Sequence, residues 1–98
     1  MAYKLIWSRT SRDDLHDIVT FIARDSRTRA EAFGYRLIAA AEKLQDFPEI
    51  GRVVPEIRVP AIREIIVRSY RTVYRVNHEQ RFVEIARVWH AARGTPKF

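Results

Sequence analysis

Ninety-eight residues at 47% hydrophobic content suffice for one domain with one modest core, and the lack of cysteine excludes a disulfide framework or a thiolate metal site. No stretch approaches the roughly 20 apolar residues of a membrane span, and the run from Tyr3 to Trp7 is too short for a signal peptide, so a cytoplasmic protein is expected. The formal charge of +6 is unevenly placed: eight bases balance eight acids up to Ile50, while ten bases face four acids after it. Such segregation points to an anionic partner for one face of the molecule.

Tyr3-Lys4-Leu5-Ile6-Trp7 reads as a short strand at an edge or second position. Ser8, Thr10 and Ser11 offer N-caps for a helix, with Asp13 and Asp14 expected in its first turn. Leu15, Ile18, Val19 and Ile22 recur at the spacing of an apolar helical stripe. Residues 25–28 read as a turn, and Thr28 with Glu31 as a capping box for a second helix. Its stripe is Phe33, Leu37, Ala40, Ala41 and Leu44, and Pro48 and Gly51 end it.

Beyond Gly51 the period shifts towards two. Residues 62–68 are β-branched. Residues 70–76 alternate, with Arg71, Val73 and Arg75 on one side and Tyr70, Thr72, Tyr74 and Val76 on the other. Asn77-His78-Glu79-Gln80 is a hairpin turn, followed by a strand from Phe82 to Trp89. The expected architecture is α+β: an N-terminal strand, a helical hairpin, then three antiparallel strands, giving a four-stranded sheet with the helices on one face.

The residues single out few chemical groups. Arg71 and Arg75 share a sheet face and either grip phosphates or an acidic surface, or pair with Glu64 or Glu84. His90 ends a strand near this basic cluster. It serves either as a general base or as a strand cap packed on Trp89. His16 and His78 read as exposed. Three scattered histidines make no metal site, and no phosphate loop, nucleophile elbow or carboxylate pair is present, so no metal or cofactor is expected. Trp7, Trp89, Tyr70 and Tyr74 read as core or groove wall.

Several of these segments together resemble a known family. They are Leu-Gln-Asp-Phe-Pro-Glu-Ile-Gly-Arg at 44–52, Gly51-Arg52-Val53-Val54-Pro55-Glu56, Ile62-Arg63-Glu64, Tyr70-Arg71-Thr72-Val73-Tyr74-Arg75-Val76 and Arg87-Val88-Trp89-His90-Ala91-Ala92-Arg93. Across essentially the whole chain they resemble the RelE/ParE toxins of bacterial toxin–antitoxin modules, also called plasmid stabilisation proteins. The resemblance implies one of two activities, cleavage of messenger RNA in the ribosome (RelE branch) or poisoning of DNA gyrase (ParE branch). It also implies silencing by a cognate antitoxin in a toxin–antitoxin hetero-oligomer. On the ribonuclease reading the catalytic residues are Arg63, Arg71, His90 and Arg93. Ile65 and Ile66 stand where a further basic residue is expected, and Phe98 substitutes for a stacking tail aromatic without a hydroxyl. On the gyrase reading, favoured by the Gly-Arg-x-x-Pro-Glu segment and the His-x-x-Arg ending, the target-binding residues are Arg71, Arg75, Arg87, Arg93 and Phe98. A third reading is a nontoxic remnant that only binds an antitoxin or DNA.

Overall fold

The computed structural model describes residues 2–98. Strand β1 (Lys4–Trp7) leads directly into helix α1 (Arg9–Ala23). Ser8 caps that helix, its hydroxyl accepting the Ser11 N–H at 3.0 Å. With the start fixed at Arg9, Asp13 and Asp14 fall beyond the first turn, which holds no acid. Helix α2 (Arg27–Glu42) is capped by Ser26, whose hydroxyl accepts the Arg29 N–H at 3.2 Å. The capping box expected at Thr28 and Glu31 therefore does not form, because Thr28 already lies inside the helix. The α-helix stops at Glu42, ahead of Pro48, and tightens into a 3-10 turn over Lys43–Gln45.

Four further strands follow: β2 (Arg52–Val53), β3 (Ile62–Val67), β4 (Tyr70–Asn77) and β5 (Phe82–His90). They form one sheet in the order β1-β5-β4-β3-β2, with β1 parallel to β5 and the other pairs antiparallel. The α+β class stands, with five strands instead of the four expected. The added strand is two residues long, too short to show a period of two. β1 is an edge strand.

One face of the sheet packs against the helices. Ile18, Leu37, Ala41 and Leu44 meet Val67, Tyr74, Val76, Val83, Ile85 and Val88 there, with Leu15, Ile22 and Phe33 at the margin. Leu37 and Leu44 are wholly removed from water, each contributing on the order of 2 kcal/mol from its apolar area. The helices approach closely at Gly34, where a Cβ would lie 3.1 Å from Val19 Cγ2.

The register of β5 breaks once. Ile85 pairs with Tyr74 and Arg87 with Val73, so Ala86 has no partner and forms a bulge. An extra residue inverts the alternation after it. Val83 and Ile85 face the helices before the bulge, and Val88 and His90 after it. Arg87 and Trp89 are thereby turned to the outer face, opposite Val73 and Arg71. Among the described residues, no helix is long and apolar enough to cross a membrane.

Candidate functional site: the outer sheet face

The centre of the outer face is an ion-pair network around Arg71. The β3–β4 turn is Arg68-Ser69, which sets Glu64 opposite Val73 and diagonal to Arg71 on the same face. Arg71 Nε donates to Glu64 Oε1 at 2.6 Å. Its two terminal nitrogens grip Glu56 at 2.8 and 2.6 Å. Nη1 also donates to the Gly94 carbonyl at 3.2 Å, an oxygen that accepts Trp89 Nε1–H at 3.1 Å. Glu64 is fully buried and takes a second guanidinium, that of Arg52, with both contacts at 2.7 Å. One buried arginine therefore joins β3, the loop after β2 and the C-terminal segment.

Electrostatics follow from these contacts. Hydrogen bonds donated to Glu56 and Glu64 raise the Arg71 guanidinium above its ordinary value, so it stays charged throughout. The Arg71 hydrogen bonds hold the Glu56 carboxyl at about 2, down from 4.5. A depressed carboxylate stabilises the fold above its unfolded value and loses that contribution as pH falls through the folded one. The window is therefore roughly pH 4.5 down to 2. A third of the Glu56 side chain remains exposed, so water and salt keep the effect small. Thermal melts of Glu56→Gln between pH 6 and 2 are expected to show a shallower acid decline than the parent. Parallel curves would rule out this linkage.

The other predicted residues are dispersed. Arg75 is exposed on the outer face, as the alternation predicts, and forms no ion pair with Glu84, although the two are cross-strand partners. Arg63 lies on the opposite face of the sheet, paired with Tyr74, and donates to the Gly51 carbonyl at 3.0 Å with Glu49 3.6 Å away. Arg87 makes a bidentate pair with Asp14 at 2.8 and 2.9 Å, which raises its pKa, and donates to the Lys97 carbonyl at 2.6 Å. Arg93 is exposed and stacks over Trp89 at 3.9 Å. Phe98 is also exposed.

His90 Nδ1 accepts the Ala92 N–H at 3.1 Å, and the ring stands edge-on to Tyr70 at 5.0 Å. Accepting at Nδ1 leaves the ring proton on Nε2, so the second nitrogen is a donor and not a base. His90 and Arg93 share a cleft of about 310 Å³ with Asp14, Asp17, Phe21 and Tyr70. His16 and His78 are exposed; His78 Nδ1 lies 2.6 Å from the Tyr3 hydroxyl. Trp89 and Tyr74 are buried, as expected of core aromatics. No group of three or more His, Asp or Glu able to hold a metal is present among the described residues.

The competing reading of Arg71, pairing with Glu64, is thus the geometry found. Glu64 was one of the two partners, with Glu84, that the sequence offered. Glu56 was not, since it sits in a loop 15 residues before Arg71 with no pattern to place it. Asp14 was missed for a related reason. Read as a first-turn acid, it instead accepts the Arg87 guanidinium and the Val88 N–H at 3.0 Å.

Comparison with known proteins agrees with this fold. The family model described as the ParE toxin of type II toxin-antitoxin system, parDE, matches residues 5–94. Toxin RelE2 of Caulobacter vibrioides is 32% identical over 91 residues, covering 92% of this chain and 97% of the relative. The fold is similar to that in the chromosomal ParDE system of P. aeruginosa (TM-score 0.73, 20% identity, 91% of this chain and 96% of that one). It is also similar to that in the toxin-antitoxin complex RelBE2 of Mycobacterium tuberculosis (TM-score 0.66, 23% identity, 94% of each chain). With a family match across nearly all of its length, the chain belongs to the ParE toxins of type II toxin–antitoxin systems.

Proposed function

We propose that this toxin acts by binding DNA gyrase, without RNA cleavage, and that a cognate antitoxin covers and silences it. The observation that carries the reading is the state of Arg71. Four of its five N–H groups are taken by two carboxylates and a carbonyl, so no donor fork is left free for a scissile phosphate. Arg63 lies across the sheet from it, and the hydrogen bond at His90 Nδ1 leaves Nε2 a donor. General acid–base cleavage needs a base within reach of a 2′-hydroxyl and a charged partner beside the same phosphate. The residues free to meet a protein surface are Arg75, Arg93 and Phe98. Arg71 and Arg87 support that surface from within. The antitoxin follows from the family and from the toxin-antitoxin complex of the M. tuberculosis relative.

The second reading, ribosome-dependent cleavage of messenger RNA, draws on the relative named RelE2. One experiment separates the two. Purified protein is added to a gyrase supercoiling and cleavage assay and, in parallel, to a reconstituted translation reaction with end-labelled messenger RNA. The expected result is gyrase inhibition with intact RNA, weakened roughly tenfold or more in Arg75→Ala/Arg93→Ala, as for interface hot spots. Unaffected gyrase at high excess, with cut RNA, would establish the ribonuclease instead.

A further inference from the structure

A second basic cluster lies on the helical side, away from the Arg71 network. Arg29 and Arg36 sit seven residues apart on α2 and so share one face of it. The β3–β4 turn brings up Arg68, with φ of 53°, beside that face. The three line one cavity of about 470 Å³ with Ile22, Ala32 and Phe33. No acid lines it. Among the described residues, none of the three guanidinium groups has an ion pair, a side-chain hydrogen bond or an aromatic partner. This contrasts with Arg52, Arg71 and Arg87, each held by carboxylates. Phe33 packs against Tyr70 with ring centroids 5.7 Å apart, giving the cavity an apolar wall.

We infer that this cavity is a phosphate-binding site, with the apolar wall receiving the group that carries the phosphate. The charge balance selects the ligand. A carboxylate ligand would leave two of the three positive charges uncompensated. A terminal phosphate brings close to −2 and about three acceptor oxygens, one for each fork, and two adjacent backbone diesters together bring the same charge. The volume falls in the range of small-molecule sites, roughly 300–1,000 Å³. The phosphate is carried either by a free nucleotide-like molecule or by a nucleic-acid backbone, and the chemistry of recognition is common to both. The inference does not depend on gyrase being the target.

The test is calorimetric titration of the full chain with inorganic pyrophosphate, with a single-stranded oligonucleotide of about 12 nucleotides, within the span of single-strand sites, and with a hexaglutamate peptide. Arg29→Gln/Arg36→Gln/Arg68→Gln is compared with Arg75→Gln, which removes an equally exposed arginine from the outer face. Thermal melting confirms that each variant is folded. Arg36→Gln alone replaces the triple variant if the latter is not. Pyrophosphate is expected to bind, to weaken about tenfold or more in the cavity variant as salt-sensitive guanidinium contacts are lost, and to be unaffected by Arg75→Gln. The oligonucleotide binding more tightly than pyrophosphate, with the same loss, identifies nucleic acid as the source. Oligonucleotide binding no tighter than pyrophosphate identifies a small phosphorylated molecule. The inference is overturned if neither phosphate probe binds, if Arg75→Gln weakens binding as much, or if hexaglutamate binds as well as pyrophosphate through the same arginines.

Discussion

Replacing Arg71 with alanine is expected to lower unfolding free energy by about 3 kcal/mol, at the low end for breaking a buried charge network. The side chain of Glu64 is completely buried, so losing Arg71 Nε strips a partner from a carboxylate that water cannot reach. Arg52 still holds the other oxygen, which keeps the loss from being larger. Glu56 and the Gly94 carbonyl also lose their tie to the sheet. Urea denaturation of parent and variant measures this directly. A companion variant, Arg71→Met/Glu64→Gln, is expected to recover part of the deficit, since it removes the stranded charge. A single-variant loss below about 1 kcal/mol, the size of an exposed pair, would mean the network is only superficial. The same variant bears on mechanism. On the binding reading, gyrase inhibition tracks the folded fraction and is retained at low temperature. On the ribonuclease reading it is activity towards RNA that disappears, even in folded protein.

The second large effect is expected at Gly51. A Cβ there would lie 2.5 Å from the Glu64 carbonyl oxygen and 2.6 Å from the Tyr74 hydroxyl. The first obstacle is backbone and cannot swing away. The second accepts the Gly51 N–H at 3.0 Å and is itself buried, which raises the Tyr74 pKa. Gly51→Ala must therefore push β2 off β3 and break that hydrogen bond. Overpacking costs about 1–3 kcal/mol and the stranded polar groups about 1 more, so a total near 3 kcal/mol is expected. In a domain of this size that corresponds to a melting-point drop of more than about 10 °C. A drop under 2 °C would show that the loop relaxes freely. Tyr74→Phe isolates the hydrogen bond and is expected to cost about 1 kcal/mol.

The helices and the long strands were legible because their periods are carried by many residues. Leu15, Ile18 and Ile22, or Tyr70 through Val76, each repeat the same signal. The helix starts were harder, since serine, threonine and aspartate at neighbouring positions compete for one cap, and Ser26 prevailed over Thr28 through a single hydrogen bond. The two-residue β2 is defined by its partner and not by its own pattern. The bulge at Ala86 had the widest consequence. Simple alternation groups Val83, Ile85, Arg87 and Trp89, whereas the unpaired alanine divides them between two faces. The clustering of positive charge after Ile50 was real in composition but misleading in space. Arg52, Arg63, Arg71 and Arg87 are spent on internal acids and carbonyls, while Arg29 and Arg36 from the balanced half join Arg68.

The way α1 leaves the sheet has a consequence for self-association. β1 pairs with only the first part of β5, from Phe82 to Ile85. The remainder of that margin is the longest run of β5 left without a neighbouring strand. It is nonetheless closed: the Ser8 N–H and hydroxyl take the carbonyls of Ile85 and Ala86, and Asp14 takes the Val88 N–H. An incoming strand from another chain would have to displace a helix cap and a bidentate ion pair before forming its first ladder bond. At that margin the sheet thus exposes to templated growth only a strand of four residues.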